Sequence, residues 1–141
     1  MLLISHRGNL FGKKPELENS PNYIRNALNT GFDVEIDIWF KNGDLFLGHD
    51  EPQYQTDLSF LRDNRLWCHA KNIEALHLMV ENRIHCFWHQ EDDVTLTSKG
   101  FLWTYPGKPL TDKSICVSLG KIDKTMKCYG ICSDYIGEIN G

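Results

Sequence analysis

Apolar and polar positions follow two periods along the first half of the chain, one suited to strands and one to helices. Leu2 to Ser5 is a short apolar run ending at His6, which predicts a strand. After a polar stretch from Asn9 to Asn19, Ser20 caps and Pro21 opens a helix with apolar positions at Tyr23, Ile24, Ala27 and Leu28, and Gly31 stops it. Asp33 to Phe40 alternates and is β-branched, Asn42-Gly43 favours a two-residue hairpin turn, and Asp44 to Leu47 predicts the return strand. Arg65 to Ala70 predicts a third core strand. Asn72 then caps a helix carrying Ile73, Leu76, Met79 and Val80, and Ile84 to Trp88 predicts a fourth strand, which makes a parallel strand-helix-strand unit.

The second half is thinner. Short apolar runs at Phe101 to Thr104, Ile115 to Ser118 and Tyr129 to Ser133 are joined by segments too short or too polar for full helices. A complete eightfold barrel usually takes ~250 residues, and this chain has 141. The pattern therefore points to an α/β fold, a reduced or irregular TIM-type barrel with few outer helices in its second half; an open α/β sheet is the competing architecture. No repeat or linker divides residues 1 to 141, so one domain is expected.

Composition narrows the partners. A net charge of -4 leaves no basic footprint for nucleic acid, so a small substrate met by a few local cations is expected. No apolar run nears the ~18 residues of a membrane helix, which argues against stable membrane insertion. The start, Met1-Leu2-Leu3-Ile4-Ser5-His6-Arg7, reaches charge too soon for a secretion signal, and a cytoplasmic location is expected. The five cysteines form an odd set without CxxC spacing, which fits reduced, mostly buried thiols. Trp39, Trp67, Trp88 and Trp103 most simply fill an outer core that missing helices leave; an exposed subset would mark a subunit interface, so a homo-oligomer stays open.

The chemistry concentrates at strand ends. In Glu35-Ile36-Asp37 the two carboxylates point to one face of a strand while Val34, Ile36 and Ile38 take the other. Side by side they repel, and a hard divalent cation such as Mg²⁺ or Ca²⁺ satisfies both; solvent or a basic neighbour is the alternative. His6 and Arg7 follow the first strand directly. His49 follows the hairpin's return strand, but strict pairing puts it on the face of Ile36, so Gly48 has to bend the chain to bring it to the carboxylates. His69 and Lys71 share a face at the end of the third strand, and a lysine there suits an anion.

His6-Arg7-Gly8, Glu18-Asn19-Ser20, Glu35-x-Asp37, Asn42-Gly43 and Gly48-His49-Asp50, in this order, resemble the signature of the glycerophosphodiester phosphodiesterase family within the phosphatidylinositol-specific phospholipase C-like superfamily. The likeness is close over residues 1 to 50, recognisable at His69 to Lys71 and weak beyond, where Cys132-Ser133-Asp134-Tyr135 resembles the end of a late family strand. It implies a TIM-type barrel that cleaves a small glycerol- or polyol-type phosphodiester. In that reading His6 and His49 are the acid/base pair, Glu35, Asp37 and Glu18 belong to the metal site, and Arg7 and Lys71 contact phosphate. His69 stands where the family usually has an acidic residue, which makes it a metal ligand here and raises Mn²⁺ or Zn²⁺ beside Mg²⁺ and Ca²⁺. A non-catalytic phosphate-ligand binding module that keeps the mouth of the barrel is the alternative.

Two other groupings carry less. His85, Phe87 and His89 share a strand face, and with Glu91, Asp92 and Asp93 they line the mouth, bind a second metal or, as is more usual for such a run, form strand core followed by an acidic solvated loop. A zinc site drawn from Cys68, His69, His85, Cys86 and His89 fails because adjacent Cys and His point to opposite faces.

Overall fold

A computed structural model of the chain describes residues 1–120, 122–123 and 125–139. Strand β1 (Leu2–His6) leads into helix α1 (Pro21–Thr30), capped by the Ser20 hydroxyl accepting from the Tyr23 N–H at 3.3 Å. The long β2 (Asp33–Lys41) turns back through Asn42 (φ 53°) and Gly43 (φ 82°) into β3 (Asp44–Leu47), and the two positive φ values make the tight primed turn that Asn-Gly favours. A short β4 (Tyr54–Thr56) and a four-residue α2 (Leu58–Leu61) precede β5 (Leu66–Ala70), α3 (Ile73–Glu81) and β6 (Cys86–Trp88). The rest is β7 (Val94–Leu96), β8 (Leu102–Thr104), β9 (Ser114–Val117), β10 (Gly130–Ser133) and a single 3₁₀ turn at Ile136–Glu138.

Strands β6, β5, β2, β1, β10, β9 and β8 lie side by side in parallel, β7 returns antiparallel on β8, and β3 with β4 extends the far end of β2 as an antiparallel flap. No strand ladder joins β6 to β7. Their edges meet only through bonds such as Ser98 N–H to the Cys86 carbonyl at 2.8 Å and the Thr95 hydroxyl to the Trp88 carbonyl at 2.8 Å.

This overturns the expected TIM-type barrel. The molecule is a mostly-sheet half-barrel, and the three α-helices among the described residues fall before β6. Parallel neighbours need a long crossover, but a loop can supply it. The β9–β10 connection does so, laying Ile122, Met126 and Cys128 on the convex face where a helix would otherwise pack. Three-residue strands such as β6, β7 and β8 also offer too little ladder to complete a ring.

Each face of the curved sheet has its own core. On the convex side Val34, Ile36, Ile38, Cys68 and Cys86 pack with Ile24, Ala27 and Met79. On the concave side Ile4, Trp67, Phe87, Trp103, Ile115 and Val117 fill the interior. Trp67 and Trp103, expected in the outer core, are therefore inside; Trp67 shares a strand face with His69, and its ring lies 5.9 Å from that of Trp103. Helix α3 buries Ala75 and Met79, while Ile73 and Val80, two of the apolar positions that predicted the helix, are exposed. All five cysteines are free thiols. Among the described residues no helix is long and apolar enough to cross a membrane.

The floor of the concave side holds a buried imidazole. His85 bonds the Thr97 hydroxyl at 2.8 Å and lies 4.3 Å from the Trp67 ring, and burial, with Lys99 nearby, lowers it to about 4. The unfolded chain, at the ordinary ~6.5, takes up that proton more readily. Its contribution, about 3 kcal/mol, is present above pH 6.5 and disappears as the pH falls toward 4. His85→Gln is expected to flatten the fall in melting temperature across that window, and equal slopes for the two proteins would remove His85 as a cause.

Candidate functional site

Strand register assembles the site. On β2 the side chains of Glu35 and Asp37 turn to the concave face, both buried, because Val34, Ile36 and Ile38 are held at 0% exposure in the convex core. Pairing sets His6 of β1 beside Glu35 and His69 of β5 beside Asp37. Four chemically active residues from three strands thus converge at one end of the sheet.

His69 has a defined orientation. Its Nε2–H donates to the His89 carbonyl at 2.9 Å, which leaves the Nδ1 lone pair facing Asp37 Oδ1 at 3.3 Å and Glu35 Oε2 at 3.7 Å. A ring held this way by a backbone carbonyl is how ligating histidines are oriented. Glu35, Asp37 and His69 each offer a donor atom within 4.8 Å of the others. Glu35 Oε1 and Asp37 Oδ1 are buried with no hydrogen-bond donor. Burial, reinforced by the neighbouring Asp37 charge, pushes Glu35 well above the usual carboxylate range despite Arg7 and Lys71. Burial acts on Asp37 in the same direction, yet Asp37 is held well below that range, with the charge of the Arg7 guanidinium 3.2 Å away.

Arg7, expected as a phosphate contact, is built into the wall. Its backbone takes φ 59°, its N–H donates to the Glu35 carbonyl at 2.8 Å, and its guanidinium reaches Glu18 at 3.0 Å, Asp37 at 3.2 Å and His49 at 2.7 Å. Glu18 stands outside the three-donor group. One of its oxygens takes Arg7 and the other takes Asn9 at 3.0 Å, so it fixes the guanidinium. Lys71 lines the cavity, and among the described residues its ammonium makes no ion pair. The four buried carboxylates (Glu18, Glu35, Asp37, Asp134) thus stand with Arg7 and Lys71 at this end of the sheet, leaving an excess of negative charge when all are ionised.

The two candidate acid/base histidines hold different tautomers. His6 Nδ1–H donates to Asp134 at 2.7 Å, leaving Nε2 free to take a proton 3.8 Å from Glu35. A guanidinium has no acceptor, so the 2.7 Å contact from Arg7 makes His49 Nδ1 the acceptor and puts the proton of the neutral ring on Nε2. His49 reaches the site through the bend its position required. The ladder ends at Leu47, and a Cβ on Gly48 would lie 2.0 Å from the Glu51 carbonyl oxygen. The carbonyl of Gly48 accepts from the Trp39 indole at 2.7 Å, which anchors the bend.

Asn9, Asn19 and Asp134 complete the network without having been assigned roles from sequence. The side-chain amide of Asn19 (φ 67°) clamps Asp37 twice, its N–H donating to Asp37 Oδ2 and its oxygen accepting from the Asp37 backbone N–H, each at 2.9 Å. Asn9 donates to both Glu18 and Asp134 and accepts from the Tyr23 hydroxyl at 2.9 Å. The signal available was positional: all three follow strand ends or sit in the loop those ends face. His6, Arg7, Glu35, His49, His69 and Lys71 border a cavity of about 320 Å³ closed on its other side by Trp103, Tyr105 and Val117. Neither a family model, nor a curated protein, nor a solved structure matches this chain.

Gly48→Ala must push the Glu51 carbonyl away and release His49. The expected result is a loss of about 1–3 kcal/mol of stability, with a shifted Trp39 indole N–H resonance as the bend opens. Unchanged stability and an unmoved resonance would show that Gly48 does not hold His49 in place.

Proposed function

We propose that the chain is a divalent-metal-assisted phosphodiesterase acting on a small phosphodiester, with His6 and His49 moving the protons. The observation that carries this reading is the buried Glu35, Asp37 and His69 donor group, with two carboxylate oxygens lacking any hydrogen-bond donor, beside the imidazoles of His6 and His49. The motif order that resembles the glycerophosphodiester phosphodiesterases supports the same residues. A divalent cation bound by that group supplies charge neutralisation to the phosphoryl oxygens and makes up the charge deficit of the site. One imidazole among the donors favours Mn²⁺ or Zn²⁺ relative to an all-oxygen set.

The chain's own residues do the rest. His6 Nε2 takes the proton of the attacking hydroxyl as its oxygen bonds phosphorus, and Asp134 stabilises the imidazolium that forms. His49 acts from its imidazolium form, with Asp37 3.5 Å from Nδ1 to balance the charge, and gives its Nε2 proton to the oxygen of the departing alcohol as that P–O bond breaks, returning to the neutral ring. Lys71, uncommitted to any carboxylate within 4 Å among the described residues, is the cation free to meet the phosphate. Arg7 holds Asp37 and His49 in position and contributes positive charge from the wall. Five unpaired thiols suit a reducing compartment such as the cytoplasm.

The test is turnover of bis(p-nitrophenyl) phosphate and a glycerophosphodiester with Mn²⁺, Mg²⁺, Ca²⁺ or Zn²⁺, and then with chelator. His6→Ala and His49→Ala are each expected to lower kcat by ~10² or more, because positioned proton transfer contributes that much. Wild-type activity no higher than that of His6→Ala with every metal, with phosphate still bound, would make the protein a binding module. In a separate calorimetric titration Asp37→Asn is expected to weaken Mn²⁺ binding at least about tenfold, and equal affinities would place the metal elsewhere.

A further inference from the structure

We infer that the site selects an asymmetric phosphodiester, with one planar, uncharged arm lying against Tyr105 and one short polyol arm on the side of Lys13 and Gln53. The inference rests on the phosphodiesterase reading and adds the chemistry of the two alcohols. His6, Arg7 and His49 border two adjoining cavities, of about 320 Å³ and about 420 Å³, so a phosphate held at these residues has room for one substituent on each side.

The two sides differ in kind. The smaller cavity is walled by Trp103, Tyr105 and Val117, and Trp103 packs on Phe87 at 4.7 Å, which makes that wall rigid. One face of Tyr105 is covered by the His89 ring, with centroids 4.2 Å apart and planes 20° from parallel, so the phenol is already oriented before a ligand arrives. A pre-oriented aromatic ring stacks on a planar group with little loss of side-chain entropy. With a divalent cation offsetting Glu35 and Asp37, Arg7 and Lys71 leave the cavity no spare negative charge, so a cationic arm, which an aromatic wall would otherwise attract, gains little there. The larger cavity presents Lys13, Gln53 and Asp50, hydrogen-bonding groups matched to hydroxyls, with Pro15 and Leu119 its only apolar lining. Both volumes sit at the small end of ligand sites, which suits short arms on either side.

Two substrates separate the possibilities: glyceryl p-nitrophenyl phosphate, with one planar arm, and glycerophosphoglycerol, with none. Comparing each variant with wild type on the same substrate cancels the intrinsic reactivity of the leaving groups. Tyr105→Leu, which keeps an apolar side chain and removes the plane, is expected to lower kcat/KM about tenfold on the first substrate, mainly through KM. On glycerophosphoglycerol it should change kcat/KM less than about twofold, and Tyr105→Phe should behave as wild type on both. Equal losses on the two substrates, or no loss on either, overturn the inference and leave the phosphodiesterase reading intact. Turnover of neither substrate by wild type above the His6→Ala level overturns that reading and this inference with it. A second measurement needs no Tyr105 variant: p-nitrophenyl phosphate should inhibit wild type about tenfold more strongly than glycerol 3-phosphate, and equal inhibition overturns the inference.

Discussion

Two carboxylates buried side by side on one strand are the constraint around which this molecule is arranged. Glu35 and Asp37 cannot both be ionised out of water without cations or donors supplied by the protein. The protein supplies them unequally. The Asp37 carboxylate receives an Asn19 side-chain N–H and the Arg7 guanidinium, and is held ionised; Glu35 is left with an oxygen that has no hydrogen-bond donor and is driven toward protonation. Neighbouring acids held in such different environments are a recurring mark of functional sites, since a purely structural core gains nothing from an orphaned charge.

The surrounding residues follow from this asymmetry. Glu18 and Asn9 do not face the cavity to bind a ligand so much as to hold Arg7 and Asp134, which in turn set the tautomers of His49 and His6. Arg7 and Asn19 both adopt left-handed backbone conformations unusual for residues with a Cβ, and both aim their side chains at Asp37. Local strain is thus concentrated where orientation matters most.

The architecture shows how little scaffold such a site requires. Strand β2 is the hub: β1 and β3 share one of its edges, β5 takes the other, and its two faces divide the convex core from the concave site. The helices cover only the half of the sheet that carries the carboxylates and His69, while loops cover the rest. The less regular half supplies the aromatic wall and Asp134, residues that depend on where a strand ends more than on how long it is.

The sequence by itself determined the local elements and most of the chemistry. Ser20, Pro21 and Gly31 bounded a helix, Asn42-Gly43 set the hairpin register, and the i, i+2 spacing put Glu35 with Asp37 and His69 with Lys71 on shared faces. These are properties of a few consecutive residues, so period and turn chemistry reveal them. Tertiary structure alone decided the rest. Whether the sheet closed depended on non-local ladders between three-residue strands, and it stayed a half-barrel; that Trp67 and Trp103 meet in its concave core depended on its curvature. Asp134 meets His6 only because β10 pairs with β1 across almost the whole length of the chain, and Glu18 turns to Arg7 because a loop folds back over the strand ends. Such contacts join residues far apart in sequence, and local pattern carries no information about which distant partner satisfies a buried charge.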